Sequence, residues 1–136
     1  MHASCVAIDG NGVLIRGASG SGKSALALEI MARGGVLIAD DTVFLTVKPG
    51  QIIAVAPATT AGLIEARGVG ILRAEHLASA PISLVVDLDW TETHRLPQHQ
   101  QTSLMGQSVA LCHKVDSSYF AAALVQYLKG GRWDAE

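Results

Sequence analysis

Cysteine is scarce in this chain: Cys5 and Cys112 are the only two, and each lies inside an apolar run. That pattern excludes a disulfide framework and suits reduced core thiols in a cytoplasmic protein. Neither has a second cysteine or a histidine at zinc-finger spacing; His113 is a lone neighbour of Cys112, so no metal centre is expected there. Blocks of one charge are missing too. Ten basic and twelve acidic residues leave a formal net charge of -2, which gives nucleic acid and anionic membrane no electrostatic hold. No apolar run approaches the roughly 18 residues of a membrane span, and the N-terminus lacks a basic-then-apolar signal layout. With no internal repeat and no low-complexity linker, the 136 residues are expected to form one domain, 1–136. Hydrophobic residues make up 49% of it, enough for a core without covalent staples, and a soluble, cytoplasmic protein is expected.

Against these absences stands one dense motif. Gly17-Ala18-Ser19-Gly20-Ser21-Gly22-Lys23-Ser24 fits the phosphate-loop pattern G-x-x-x-x-G-K-[ST] at every position, between a β-like run and a helix-like run. Its glycines let several backbone N–H groups point into one concavity that can hold a polyphosphate. Lys23 is placed to reach the terminal phosphates and Ser24 to put its hydroxyl on magnesium. The helix starting near Ser24 aims its positive end at the same place.

The strand entering the loop is unusual. Cys5 to Ile8 and Val13 to Arg16 are β-prone and separated by Asp9-Gly10-Asn11-Gly12, which predicts an antiparallel hairpin. Ser24 to Arg33 reads as a helix stopped by Gly34-Gly35. Val36 to Ala39 is an apolar strand ending in Asp40-Asp41. Thr42 to Val47 and Gln51 to Ala56 form a second hairpin about Pro49-Gly50. Thr59 to Ala66 is expected as a short helical turn before the glycine-rich Arg67-Gly68-Val69-Gly70, and Ile82 to Leu88 as a central strand. Trp90 to Met105 reads as a polar surface excursion and Gln107 to His113 as a last strand. Asp116-Ser117-Ser118 is expected to cap a final helix running to about Lys129. The whole is an α/β fold: a mixed, hairpin-rich sheet carrying a phosphate loop.

Phosphoryl transfer needs a phosphate clamp, a metal and a group that takes the acceptor's proton. Asp40 and Asp41 follow a buried strand just after the loop's helix, and adjacent positions let one face the site while the other turns away. Asp87, ending the run Ile82-Ser83-Leu84-Val85-Val86, is the rival acid. Glu65 and Arg67 bracket the start of a glycine-rich bend, as a metal ligand and a phosphate contact would, or as an internal salt bridge. His2 by itself reads as a frayed terminal residue. His76, His94, His99 and His113 form no cluster.

Three segments together resemble the catalytic domain of the HPr kinase/phosphorylase family: His2 to Ile15 running into the loop, Leu37-Ile38-Ala39-Asp40-Asp41, and Leu63-Ile64-Glu65-Ala66-Arg67-Gly68-Val69-Gly70-Ile71. The resemblance is dense over the first half of the chain and holds only in outline beyond. It implies a fold like that of phosphoenolpyruvate carboxykinase, and ATP- and magnesium-dependent phosphorylation of a serine on an HPr-like phosphocarrier, with phosphorolysis in reverse. On this resemblance Gly17 to Ser24 and Arg67 bind the nucleotide, while Ser24 and Glu65 hold magnesium. Asp40 matches the proton acceptor, His2 the active-site histidine, and Asp41 a second acid beside it; with Lys23 these are the catalytic set.

Two departures stand out. The match begins at His2, so the separate N-terminal domain of longer relatives is expected to be absent, as in the short form found in alphaproteobacteria. There the acceptor belongs to a regulatory phosphotransfer chain. Longer relatives form hexamers, which leaves a homo-oligomer open. Downstream, His113-Lys114-Val115-Asp116-Ser117-Ser118 has no arginine where the family places a catalytic one, and Lys114 cannot supply a bidentate guanidinium. The kinase direction is therefore implied more strongly than the reverse. The alternatives are a small-molecule kinase and a low-turnover nucleotide-binding regulator on the same scaffold.

Overall fold

The computed structural model describes residues 1–134. The chain opens with the expected hairpin, β1 (Ser4–Ile8) and β2 (Asn11–Arg16). Ile8 pairs with Asn11, so the turn is the two residues Asp9 and Gly10, both at positive φ (51° and 80°). That is the geometry whose twist matches the strands and that Asp-Gly adopts readily. After the loop come helix α1 (Lys23–Met31) and β3 (Val36–Ala39), which pairs antiparallel with β1. Gly35 between them has no room for a side chain: a Cβ would lie 2.7 Å from Val6 Cγ1 and 2.9 Å from the Ile30 carbonyl.

β4 (Phe44–Lys48) and β5 (Gln51–Val55) form the second hairpin. β8 (Ser79–Thr91) is the longest strand and joins everything. Its first residues pair antiparallel with β5, and its later ones pair in parallel with β2 on one side and β10 (Gln107–Lys114) on the other. The main sheet order is β3-β1-β2-β8-β10-β9, with β4 and β5 branching from β8. The strand pattern alternates between two cores. Val6, Ile8, Val13, Ile15, Leu84 and Val86 face α1 and the C-terminal helix α2 (Phe120–Gly130). Cys5, Ala7, Leu14 and Val85 face the other way, onto Ile38, Val43, Ile52 and Ala54. Both faces are covered, which is why these strands read as continuous apolar runs instead of alternating ones.

Four expectations are corrected. Thr59 to Ala66 is no helical turn: tight turns over 59–62 lead into β6 (Leu63–Ala66), which pairs with β7 (Gly70–Arg73) as a separate two-stranded sheet. The excursion Trp90 to Met105 begins as the tail of β8 and ends as β9 (Gln100–Leu104), antiparallel to β10 across Met105-Gly106. A polar edge strand gives little periodicity, because its outer edge and one face meet water. Asp116-Ser117-Ser118 does not cap α2 directly: the helix starts at Phe120 after Tyr119 with no side-chain cap there, and Ser117 closes the turn before it, its Oγ accepting the Tyr119 N–H at 3.4 Å and its carbonyl the Phe120 N–H. His2 is not frayed: it bridges Thr42, while the Val43 N–H bonds the Met1 carbonyl and the Met1 ammonium the Val43 carbonyl.

Among the described residues, no helix is long and apolar enough to cross a membrane.

Candidate active site

Strand direction brings the site together. β2 and β3 both run antiparallel to the β1 that lies between them, so both end where β1 begins. One edge of the sheet therefore collects His2 and Ser4, the phosphate loop after Arg16, and Asp40-Asp41 after Ala39. β8, parallel to β2, ends there too with Asp87 to Asp89. An open cleft of about 440 Å³ lies at this edge, lined by His2, Ser4, Lys23, Ser24, Asp41, Glu65 and Arg67 with further residues of the loop.

The loop has the conformation its glycines allow. Gly22 is the residue before α1, in left-handed geometry (φ 101°), and no side chain caps the helix or places an acid in its first turn. The first helical N–H groups and the helix dipole are thus left for an anion. Lys23 is buried, and its ammonium donates to the Gly17 and Ala18 carbonyls at 2.9 and 3.0 Å. A lysine carries three donors, so one remains for a phosphate oxygen.

The two aspartates part in an unexpected way. Asp40 is 6% exposed and already enclosed by donors: Oδ1 accepts the hydroxyls of Ser4 and Ser24, each at 2.7 Å, and Oδ2 accepts the Glu65 N–H at 3.2 Å. Asp41 instead sits at φ 69°, inside a three-residue turn closed by the Thr42 N–H to the Asp40 carbonyl at 2.8 Å. Such a turn is rare and strained for a residue with a side chain. It swings the Asp41 carboxylate into the cleft, 77% exposed, where it meets His2 Nε2 at 2.9 Å. Of the two aspartates expected in the catalytic set, the carboxylate presented to the cleft is that of Asp41, while that of Asp40 is turned inward.

Glu65 and Arg67 both line the cleft, and among the described residues no ion pair joins them, so the internal salt bridge is not formed. The rival Asp87 does not line the cleft; it bonds Arg16 Nε at 3.1 Å and takes the Asp89 N–H at 2.9 Å. His113 and Lys114 end β10 at the same sheet edge, two strands from the loop's, and neither lines the cleft. Two residues escaped sequence reasoning. Ser4 shares a strand face with His2, and that two-residue spacing was a usable signal. Asp89, whose carboxylate accepts the Ala18 N–H at 2.8 Å, gave none, because the contact spans seventy-one residues.

Magnesium fits what is present. Ser24 gives its proton to Asp40, which leaves its oxygen lone pairs free for a cation, and Glu65 lines the same cleft. Among the described residues no group of three His, Cys, Asp or Glu could cage a metal.

Fold and site together define a phosphate-loop domain on a mixed sheet, with its loop entered from a hairpin. The description "HPr Serine kinase C-terminal domain" belongs to the family model that matches residues 1–112, and the chain belongs to that family. It is 43% identical over 117 residues to the HPr kinase/phosphorylase of Lacticaseibacillus casei, covering 77% of this chain and 37% of that protein. To the Clostridium tetani protein of the same name it is 41% identical over 88 residues, covering 65% and 28%. The matches thus span 24% to 37% of the length of these curated relatives. The structure of the Hpr(Ser) kinase/phosphatase from Coxiella burnetii shares the fold, with a TM-score of 0.79 at 22% identity, over 95% of this chain and 87% of that one.

Proposed function

We propose that this chain is the catalytic core of an ATP- and magnesium-dependent protein-serine kinase whose acceptor is an HPr-like phosphocarrier. The observation that carries the proposal is the exposed His2–Asp41 pair facing the same cleft as the phosphate loop. A folded protein can present a serine hydroxyl to groups that stand this far into solvent and cover them as it docks, whereas a small substrate would need a further closure of the protein to exclude water.

Roles follow from position. The loop N–H groups and Lys23 hold the donor phosphates, with Arg67 as a further phosphate contact. Ser24 and Glu65 hold magnesium, which supplies charge neutralisation on the phosphates. Asp41 takes the acceptor hydroxyl's proton, and His2 holds its carboxylate in place. Asp40 orients Ser24 and, through the Glu65 N–H, the start of the signature segment. The segment 113–118 offers no arginine, which favours the kinase over the phosphorolysis direction.

Labelled ATP, magnesium and the HPr-like proteins of the source genome test this, with the modified residue mapped. Asp41→Asn should cut transfer by about 10²–10⁴-fold while nucleotide affinity stays close to wild type. Transfer at the wild-type rate in that variant would refute the assigned base. Absence of label on every candidate acceptor would favour a nucleotide-binding regulator.

A further inference from the structure

Asp89 touches the phosphate loop from behind, at the end of β8, and none of the roles above uses it. Its Oδ1 accepts the Ala18 N–H at 2.8 Å. The Gly17 carbonyl, on the same peptide unit, accepts from Lys23 Nζ at 2.9 Å. The described chain has no cis peptide bond, so this N–H and this C=O point in opposite directions from one rigid plane. Asp89 and Lys23 therefore grip the two ends of a single peptide.

The grip is tight on the Asp89 side. A Cβ on Gly17 would lie 3.2 Å from Leu88 Cβ and 3.3 Å from Asp89 Oδ1, so β8 backs directly on the loop entry. Asp89 is itself fixed, because its N–H donates to Asp87 Oδ1, and Asp87 is held by Arg16. The parallel register that sets Arg16 opposite Asp87 thus carries through to the loop.

We infer that Asp89 is a positioning residue for the nucleotide loop: its carboxylate holds the Gly17–Ala18 peptide so that the Gly17 carbonyl aims at the Lys23 ammonium. Without it that peptide can rotate, and Lys23 loses one of its two backbone anchors. A carboxylate behind a phosphate site is otherwise a liability, since its charge repels the ligand. Retaining it makes sense if its hydrogen bond outweighs that repulsion. The inference rests on the proposed reading only in taking the loop to bind a nucleotide.

Asp89→Ala and Asp89→Asn separate the hydrogen bond from the charge, because asparagine keeps an acceptor oxygen and loses the charge. The side chain is exposed, so both variants should fold, which a thermal melt checks. Two quantities are read: amide exchange at Ala18 without nucleotide, and the Kd of a fluorescent ATP analogue with magnesium. Asp89→Ala should speed Ala18 exchange and weaken the analogue by about fivefold, the size of one solvent-facing hydrogen bond. Asp89→Asn should keep wild-type exchange and bind as tightly as wild type or tighter. Wild-type affinity in Asp89→Ala, or equal weakening in both variants, would overturn the inference. A wild-type protein that binds the analogue but labels no acceptor would overturn the kinase reading and leave this one standing; one that binds no nucleotide would overturn both.

Discussion

Replacing Asp40 by asparagine changes one atom and should cost more stability than replacing the far more conspicuous Asp41. Both Asp40 oxygens act only as acceptors: Oδ1 toward two hydroxyls at 2.7 Å, Oδ2 toward the Glu65 N–H at 3.2 Å. An asparagine whose NH₂ occupies the Oδ2 position sets donor against donor at Glu65. Turned over, it points the NH₂ at Ser4 and Ser24, whose hydroxyls must then rotate to accept, and Ser4 is 0% exposed with no water to replace a lost bond. At least one hydrogen bond is lost in either orientation, and the others lose the help of a full charge. The expected destabilisation is about 1.5–3 kcal/mol. Asp41→Asn, by contrast, removes a charge that is 77% exposed and touches only His2, so it should stay within about 0.5 kcal/mol of wild type. Urea unfolding of the three proteins measures the difference. With a slope of about 1–3 kcal/mol/M, the Asp40 variant's midpoint should fall by about 1 M while that of the Asp41 variant hardly moves. An Asp40→Asn protein as stable as wild type would show that this carboxylate is not the buried acceptor described.

Gly17 and Gly20 both have positive φ, but only Gly17 is enclosed: a Cβ there lies 2.7 Å from Ser21 Oγ, whereas Gly20 faces open space. Gly17→Ala should therefore cost about 2–4 kcal/mol from crowding and backbone strain together, and abolish nucleotide binding. Gly20→Ala should cost only the left-handed strain, about 1–2 kcal/mol, and the two melting temperatures give the comparison. The thiols should differ sharply. Burial pushes the Cys5 thiol up to about 12 from 9.0 and raises Cys112 as well, to a lesser extent. A thiol reagent at pH 8 should reach Cys5 only on unfolding. From about pH 9 the unfolded chain loses a proton that the folded chain keeps at Cys5, so this thiol's contribution to stability declines as pH rises toward 12. A native Cys5 that titrates near 9 in an ultraviolet thiolate assay would refute the burial argument.

What sequence could and could not tell about the site follows from how far each contact reaches along the chain. Asp9-Gly10 and Pro49-Gly50 state their hairpins locally, because left-handed backbone and a fixed proline φ need no partner. The phosphate loop is likewise written in consecutive residues. β9 and the β6–β7 pair exist by virtue of neighbours: Gln100 to Leu104 becomes a strand only when β10 offers its edge, and Glu65 is presented only because its N–H is held by Asp40, twenty-five residues earlier. The same distinction separates the two aspartates. Adjacent in sequence, they look interchangeable. They differ because Ala39, on β3, leads the chain out of a buried strand with Ser4 and Ser24 waiting on one side, while the strained turn at Asp41 reverses the next side chain into water. The strain is informative in itself. The backbone at φ 69° is fixed by the turn and by the Ala3 N–H on the Asp41 carbonyl at 3.1 Å, while the Asp41 carboxylate meets only His2. Comparing glycine with alanine at position 41 tests this: both remove the carboxylate, but only glycine relieves the turn, so Asp41→Gly should be about 1 kcal/mol more stable than Asp41→Ala in thermal unfolding, and both should lose transfer. A glycine variant no more stable than the alanine one would show that the turn carries no strain, and with it would go the case that the fold holds Asp41 in the cleft under strain.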